Sequence, residues 1–224
     1  EAQQLYKPRH KFSHKGTFGH ALIIGGSYGK IGATVLATKA CLKSGVGMVS
    51  AFIPRCGYQV LQTSVPEAMV FTDASDYELT DIDCPTDMTV IGFGIGAGTS
   101  DNTIQEFERL LEKTERPMVI DADGINMLAK RESLLKLLPE RQTILTPHPK
   151  ELERLVGTWK DDFDKLENTE GIIDYLDTSE EETALISNDY DFEDNKPYTH
   201  IEIHPSLLLG VMGNQIVFPE NNQL

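Results

Sequence analysis

Residues 21–33, Ala-Leu-Ile-Ile-Gly-Gly-Ser-Tyr-Gly-Lys-Ile-Gly-Ala, constrain this chain more than any other stretch. Ala21 to Ile24 is a short apolar run with the length and composition of a buried parallel strand. Four glycines follow closely, Gly25, Gly26, Gly29 and Gly32, and Ala33 to Leu42 then reads as a helix. Glycines let a backbone approach an anion, and the free N–H groups at a helix start favour negative charge. Gly25, Gly26, Ser27, Gly29 and Gly32 are therefore the expected phosphate loop, with the positive charge of Lys15 helping to hold the anion. A plain tight turn in an α/β protein meets the same spacing, so the motif needs company before it carries a function.

The company is a repeated rhythm of strands and helices. Ser44-Gly45-Val-Gly47 stops the first helix with a glycine signal. Strands are expected at Met48–Ile53, Ala68–Phe71, Met88–Ile91, Pro117–Ile120 and Thr143–Leu145. Helical spacing appears at Cys56–Thr63, Asn102–Lys113, Met127–Leu138 and Leu152–Leu166, with Asp101 as the expected N-cap of the second and Pro139 ending the third. A second glycine-rich loop, Gly92-Phe-Gly94-Ile-Gly96-Ala-Gly98, follows the fourth strand. The fifth delivers Asp121 and Asp123 to its C-terminal end, where open parallel sheets place their ligands. This alternation predicts an α/β fold, a mostly parallel sheet with helices on both faces.

Composition narrows the function classes. A chain of 224 residues holds one α/β domain with a large core, or two small ones. The formal net charge of -15 argues against nucleic acid and anionic membranes as partners, while leaving room for a local basic patch that takes a phosphorylated small molecule. Cys41, Cys56 and Cys84 lie far apart without zinc spacing, as reduced thiols in a cytoplasmic protein would. No apolar run approaches the ~20 residues of a membrane span. The chain begins at Glu1 rather than Met, as a processed chain or a fragment would, and no signal segment opens it. His10, His14 and His20 follow no strand or helix period and read as solvated loop residues rather than metal ligands.

Six motifs in order then resemble one family. They are Lys15-Gly-Thr-Phe-Gly-His20, Gly25-Gly-Ser-Tyr-Gly-Lys-Ile-Gly-Ala33, Pro66-Glu-Ala-Met69, Gly94-Ile-Gly-Ala-Gly98, Asp121-Ala-Asp-Gly-Ile-Asn126 and Leu145-Thr-Pro-His-Pro-Lys-Glu151. Together, over residues 5 to 167, they resemble the ADP-dependent (in eukaryotes ATP-dependent) NAD(P)H-hydrate dehydratases. The resemblance implies a ribokinase-like fold, incomplete here at the C-terminal end. It also implies a repair reaction: hydrated NADH or NADPH is phosphorylated from ADP or ATP, with magnesium, and loss of phosphate restores the ring double bond. Such chemistry needs positioning and charge neutralisation more than a covalent side chain. By position, Ala33, Gly98 and His148 match residues lining the hydrated dinucleotide, and Asp123, Asn126 and Glu151 are further expected contacts, with Asp121 beside them. Simpler readings stand next to these: Asp123 as a helix cap, His148 as a turn-former. The expected assembly is a homo-oligomer.

The departures are equally specific. After Glu167 nothing matches the family's Lys-Gly-Ala segment or its Gly-Ser-Gly-Asp motif, which supplies the anion hole and the acting aspartate. No catalytic residue is identified on this sequence, and the implied activity is impaired. Residues 170–224, with Gly171-Ile-Ile-Asp-Tyr-Leu-Asp and His204-Pro-Ser-Leu-Leu-Leu-Gly-Val-Met-Gly-Asn-Gln-Ile216, look similar to the second-largest subunit of multisubunit DNA-directed RNA polymerases. The expected division is therefore 1–168, a partial dehydratase-like domain, and 169–224, an acidic tail. The alternative function is an interaction segment that binds polymerase subunits. A Rossmann dehydrogenase would need an acid after the second strand to hold a ribose, and Ile53-Pro54-Arg55 stands there instead.

Overall fold

The structure, a computed structural model, describes residues 9–83, 85, 87–138 and 143–160, with 165, 168 and the backbone of 184–185. The strands are β1 (His20–Ile24), β2 (Met48–Ile53), β3 (Met69–Thr72), β4 (Val90–Phe93), β5 (Met118–Ile120), β6 (Thr143–Leu145) and β7 (Ala184–Leu185). They form one 7-stranded sheet in the order β3-β2-β1-β4-β5-β6-β7. Every pairing is parallel. The helices are α1 (Ile31–Lys43), α2 (Tyr58–Ser64), α3 (Asp101–Lys113), α4 (Asp123–Lys130) and α5 (Pro149–Val156).

All five residues of β1 are buried. Successive side chains of a strand point to opposite faces, so a central parallel strand is apolar along most of its length, and a polar side chain buried in it needs a partner. Leu22 and Ile24 pack with Phe93, Phe107, Leu111, Ile125 and Leu152, under α3, α4 and α5. Ala21 and Ile23 pack on the other face with Val49 and Val65, against Val35 and Leu42 of α1. The rings of Phe93 and Phe107 stack with centroids 4.0 Å apart, fixing α3 to β4. Helices thus cover both faces, as the sequence predicts.

This strand order places the site. From β1 the chain runs outward through α1 to β2 and β3, and then returns to β4 on the other side of β1. The order reverses between β1 and β4, and ligands of open α/β sheets bind at the C-terminal ends of strands where it does so. Both glycine-rich loops leave from that point.

Several expected boundaries move. His20 is not a solvated loop residue: it opens β1, is 5% exposed, and its Nε2 lies 2.8 Å from Ser50 Oγ on β2. His10 and His14 are exposed, as expected. Ser100, not Asp101, caps α3, accepting the Thr103 N–H at 3.3 Å. The helix expected over 127–138 starts earlier, at Asp123, and breaks at Arg131; a 3-10 turn, Glu132–Leu137, continues it. That tighter turn buries the adjacent Leu134 and Leu135 together. Gly157, at φ +90°, ends α5 well short of Leu166. Pro139, Cys84 and nearly all of the acidic tail lie outside the described residues. Among the described residues no helix is long and apolar enough to cross a membrane.

Candidate functional site

At the C-terminal edge of the sheet three loops interlock by their backbones. The Gly26 N–H donates to the Ile95 carbonyl at 2.8 Å, and the Ser27 hydroxyl to the Gly96 carbonyl at 2.8 Å. A Cβ on Gly25 would stand 2.4 Å from the Ile95 oxygen. One on Gly94 would stand 2.2 Å from the Asp121 oxygen. These glycines are there because backbone meets backbone, which no side chain permits.

This corrects the expected phosphate loop. The N–H groups of Gly25 and Gly26 are committed to the carbonyls of Phe52 and Ile95, so neither faces an anion. Gly29 and Gly32 differ: a Cβ on either would meet nothing within 4 Å. The open part of the turn is therefore its second half, running into α1, whose first turn carries no side-chain cap. Lys15 is also corrected. It starts a 3-10 turn, Lys15–Phe18, and the end of this turn and Gly19 after it accept N–H groups from the chain entering β2: Gly47 to Phe18 at 3.0 Å and Met48 to Gly19 at 3.1 Å. It therefore sits at the N-terminal end of β1, and a strand of about 16 Å separates it from Gly25. The cation beside the turn is Lys30.

Asp123 does not cap its helix. Its Oδ2 accepts the Gly98 N–H at 2.9 Å and the Lys30 ammonium at 3.2 Å, so one carboxylate ties the second glycine loop to the first. Ala122, at φ +50°, is the non-glycine residue with positive φ among the described residues. Its strained backbone turns Asp123 into the site, a kind of strain that functional loops store. Asp121 is occupied locally, its Oδ1 accepting the Ala122 N–H at 2.8 Å. Ala33 joins the group through Gly96, whose Cβ position lies 3.4 Å from the Ala33 methyl. Gly98 lies beside Ser27.

A cleft of about 450 Å³ opens alongside, lined by Thr99, Asp123, Asn126, Ala129, Lys130 and Arg154. Lys130 Nζ reaches the Thr99 hydroxyl at 2.7 Å, and Arg154 Nη1 donates to Asn126 Oδ1 at 2.8 Å. Two cations against one carboxylate make this a locally basic spot on a strongly acidic chain, suited to a phosphorylated ligand. Sequence reading missed Lys30, Lys130 and Arg154. Arg154 carried a signal: it lies one helical turn beyond Lys150 and Glu151, on a face the helix start already marks.

His148 and Glu151 form a reciprocal cap on α5. His148 Nδ1 accepts the N–H groups of Lys150 and Glu151, at 3.1 and 3.3 Å, while Glu151 Oε2 accepts the His148 N–H at 3.0 Å. That geometry leaves Nε2 as the protonated ring nitrogen, 3.3 Å from Glu151 Oε1. The turn-forming reading of His148 is thus correct in part. Its ring is half in solvent, with 53% of the side chain exposed, so it also presents a face at the same sheet edge. Ala33, Gly98, Asp123 and Asn126 form one connected set; His148 and Glu151 stand one strand further along, joined to it through the packing of α4 on α5. No three metal-ligating side chains gather among the described residues.

Residues 21–189 match the family model of NAD(P)H-hydrate dehydratase. The chain is 35% identical over 155 residues to the ADP-dependent (S)-NAD(P)H-hydrate dehydratase of Streptococcus thermophilus, covering 69% of this chain and 55% of that protein. It thus spans about half the length of the curated relatives it matches. Among solved structures, a ribokinase-like superfamily protein of Enterococcus faecalis superposes with a TM-score of 0.64 at 22% identity, covering 77% of this chain and 61% of that one. The ADP/ATP-dependent NAD(P)H-hydrate dehydratase of Bacillus subtilis, co-crystallised with ATP/Mg2+, superposes with a TM-score of 0.55 at 26% identity, covering 78% and 58%. These likenesses establish the ribokinase-like fold. They do not support the polymerase-subunit resemblance of residues 170–224, and the family match runs across the expected seam.

Proposed function

Since this chain belongs to the NAD(P)H-hydrate dehydratase family, we propose that it takes part in nicotinamide-nucleotide repair, the dehydration of hydrated NADH or NADPH driven by ADP or ATP. What carries the reading is the set Ala33, Gly98, Asp123 and Asn126. The first two are positions matching the family's dinucleotide contacts, and both lie in or just after the loops that leave the sheet where the strand order reverses, Ala33 beside Gly96 and Gly98 bonded to Asp123, which supports the reading. The donor nucleotide supplies the phosphoryl group that converts the ring hydroxyl into a leaving group; departure of phosphate with loss of a ring proton then restores the double bond. The chain's own residues bind and orient. Asp123 holds Gly98 and Lys30 in place, Lys130 and Arg154 neutralise ligand phosphate, and the amides of Gly29, Ile31 and Gly32 receive a further phosphate oxygen, the Lys30 N–H being committed to the Ser27 carbonyl.

Magnesium fits the described residues poorly. They gather no ligand set, and the Asp123 carboxylate is already bonded to an amide and an ammonium. In this reading the ion arrives on the nucleotide's phosphates. The catalytic aspartate motif is not matched between 168 and 224. We also take the dehydratase-like body to continue past 168, because β7 pairs with β6 and the family match reaches 189. The site of action is cytoplasmic, and the assembly a homo-oligomer.

Thermal melting with ligands tests the reading. NADH or its hydrate should raise the melting temperature, because a ligand that binds only the folded state adds stability by mass action. ADP alone should have little effect. Turnover of hydrated NADH with magnesium and either nucleotide, followed by return of the reduced-ring absorbance, should stay near background. A dinucleotide without effect on melting defeats the proposed cleft; robust turnover defeats the account of the missing motif.

A further inference from the structure

The loop after β3 does something the proposed reaction has not used. It starts with Asp73, 2% exposed, whose carboxylate accepts the N–H groups of Ser75, Thr80 and Asp81 at 2.8, 2.6 and 2.9 Å and the Thr80 hydroxyl at 2.7 Å. Ser75 Oγ then accepts the Tyr77 N–H at 3.1 Å, and Leu79 is fully buried. A loop pinned from both sides in this way is rigid although it lies on the surface. It touches the first glycine-rich loop and the start of α3. The Tyr77 carbonyl accepts the Tyr28 N–H at 2.8 Å, and the Glu78 carboxylate accepts from the Ser100 hydroxyl and from Asn102 Nδ2.

This scaffold holds two aromatic rings together in water. Tyr28 and Tyr77 have ring centroids 5.3 Å apart, tilted by 58°, and the residues are 69% and 63% exposed. Single exposed apolar residues are ordinary; a contacting pair on backbones locked to each other is a surface prepared for something flat. Its position says what. Tyr28 follows Ser27, which packs beside Gly98, and precedes Gly29, where the turn opens to solvent. A ligand with a phosphate at the amides of Gly29, Ile31 and Gly32 would have its base next to the ring that precedes them in the chain.

We propose that Tyr28 and Tyr77 form a stacking platform for a heteroaromatic base of the bound dinucleotide, with one ring under the base and the other bracing it edge-on. The proposal rests on the dinucleotide reading above and adds the residues that grip a base. Stacking is tolerant of base identity, so adenine and nicotinamide share the chemistry.

Calorimetric titration of NADH, AMP and NMN into the 224-residue chain and its variants tests it. Tyr28→Leu and Tyr77→Leu should each weaken NADH binding about tenfold, whereas Tyr28→Phe and Tyr77→Phe stay within about twofold of wild type. Loss of AMP binding in the Leu variants identifies adenine as the stacked base, and loss of NMN binding identifies nicotinamide. In a second measurement, NADH should quench the added emission of the Tyr28→Trp variant, which folds with an aromatic ring in place. Leu variants that bind NADH like the wild type, or an unquenched Tyr28→Trp variant, overturn the platform and leave the dinucleotide cleft standing. A wild-type chain that binds no NADH overturns both.

Discussion

Glycines that look alike in sequence do opposite things here. Gly25 has the Ile95 carbonyl oxygen where its Cβ would be, 2.4 Å away, and that oxygen is itself held by the Gly26 N–H. Gly32 sits in the first turn of α1 with nothing within 4 Å of its Cβ position. Gly25→Ala should therefore cost at least about 2 kcal/mol of stability, by forcing the two loops apart. Gly32→Ala should be neutral or gain roughly 0.5–1 kcal/mol from helix propensity. Urea unfolding of the two variants checks the contrast, and equal effects would mean that the loops do not interlock as described. The same distinction governs the charged residues. Sequence put Lys15 forward for the anion, whereas it is Lys30 that reaches the carboxylate organising the site.

At the scale of elements, the cores of helices and strands were legible and their ends were not. Apolar runs announced six of the strands within a residue or two, because a strand buried on both faces is apolar along most of its length, and the exposed edge strand β3 still shows a short run of Met, Val and Phe. Ends depend on which side chain caps and which residue bends, and these answer also to neighbours far along the chain: Ser100, the cap of α3, bonds to Glu78, and Arg131, at the break, pairs with Glu108. The loop after β3 is the clearest case. Residues 73–87 are rich in aspartate and glutamate, yet one of those acids is structural. Burial raises the Asp73 carboxyl's pKa, but the amides of Ser75, Asp81 and Thr80 and the Thr80 hydroxyl outweigh it and hold the group below the usual aspartate range. A pKa lowered by folding contributes stability that is complete above the unfolded value, about 3.9, and is lost as pH falls through the lower folded one. Asp73→Asn should thus cost roughly 1–3 kcal/mol at pH 7, by leaving buried donors poorly matched. The gap to wild type should narrow progressively below about pH 4. Denaturant titrations at pH 7 and pH 3 read this directly; a gap that persists in acid would show that the carboxylate's charge is not what holds the loop.

For the whole molecule, the sheet ends on a short edge strand that no other strand covers among the described residues. β3 is its outer strand, with Met69 43% and Phe71 37% exposed, and Tyr58 and Val60 of α2 stand exposed close by. An unpaired strand edge with apolar side chains is a template for association. Sedimentation equilibrium should find an assembly larger than the monomer's 24.9 kDa, and Met69→Lys should shift it toward monomer. A monomer at every concentration would defeat the homo-oligomer reading. The resemblance of residues 170–224 to a polymerase subunit belongs to this scale too. It rested on sequence likeness alone, and the comparisons leave it without support while carrying the dehydratase likeness to residue 189.

Composition and periodicity were enough for the class of fold, the parallel sheet and the row of loops where a ligand would lie. These follow from burial, and burial writes itself into local patterns of apolar residues and glycine. Contacts between residues remote in the chain settled the rest. They turned Gly25 and Gly26 inward and left Gly29 and Gly32 open, sent Lys15 to the far end of β1, buried His20 against Ser50, and brought Tyr77 to Tyr28. No local pattern encodes such pairings, because each depends on which strands become neighbours, and that is known only once the chain has closed on itself.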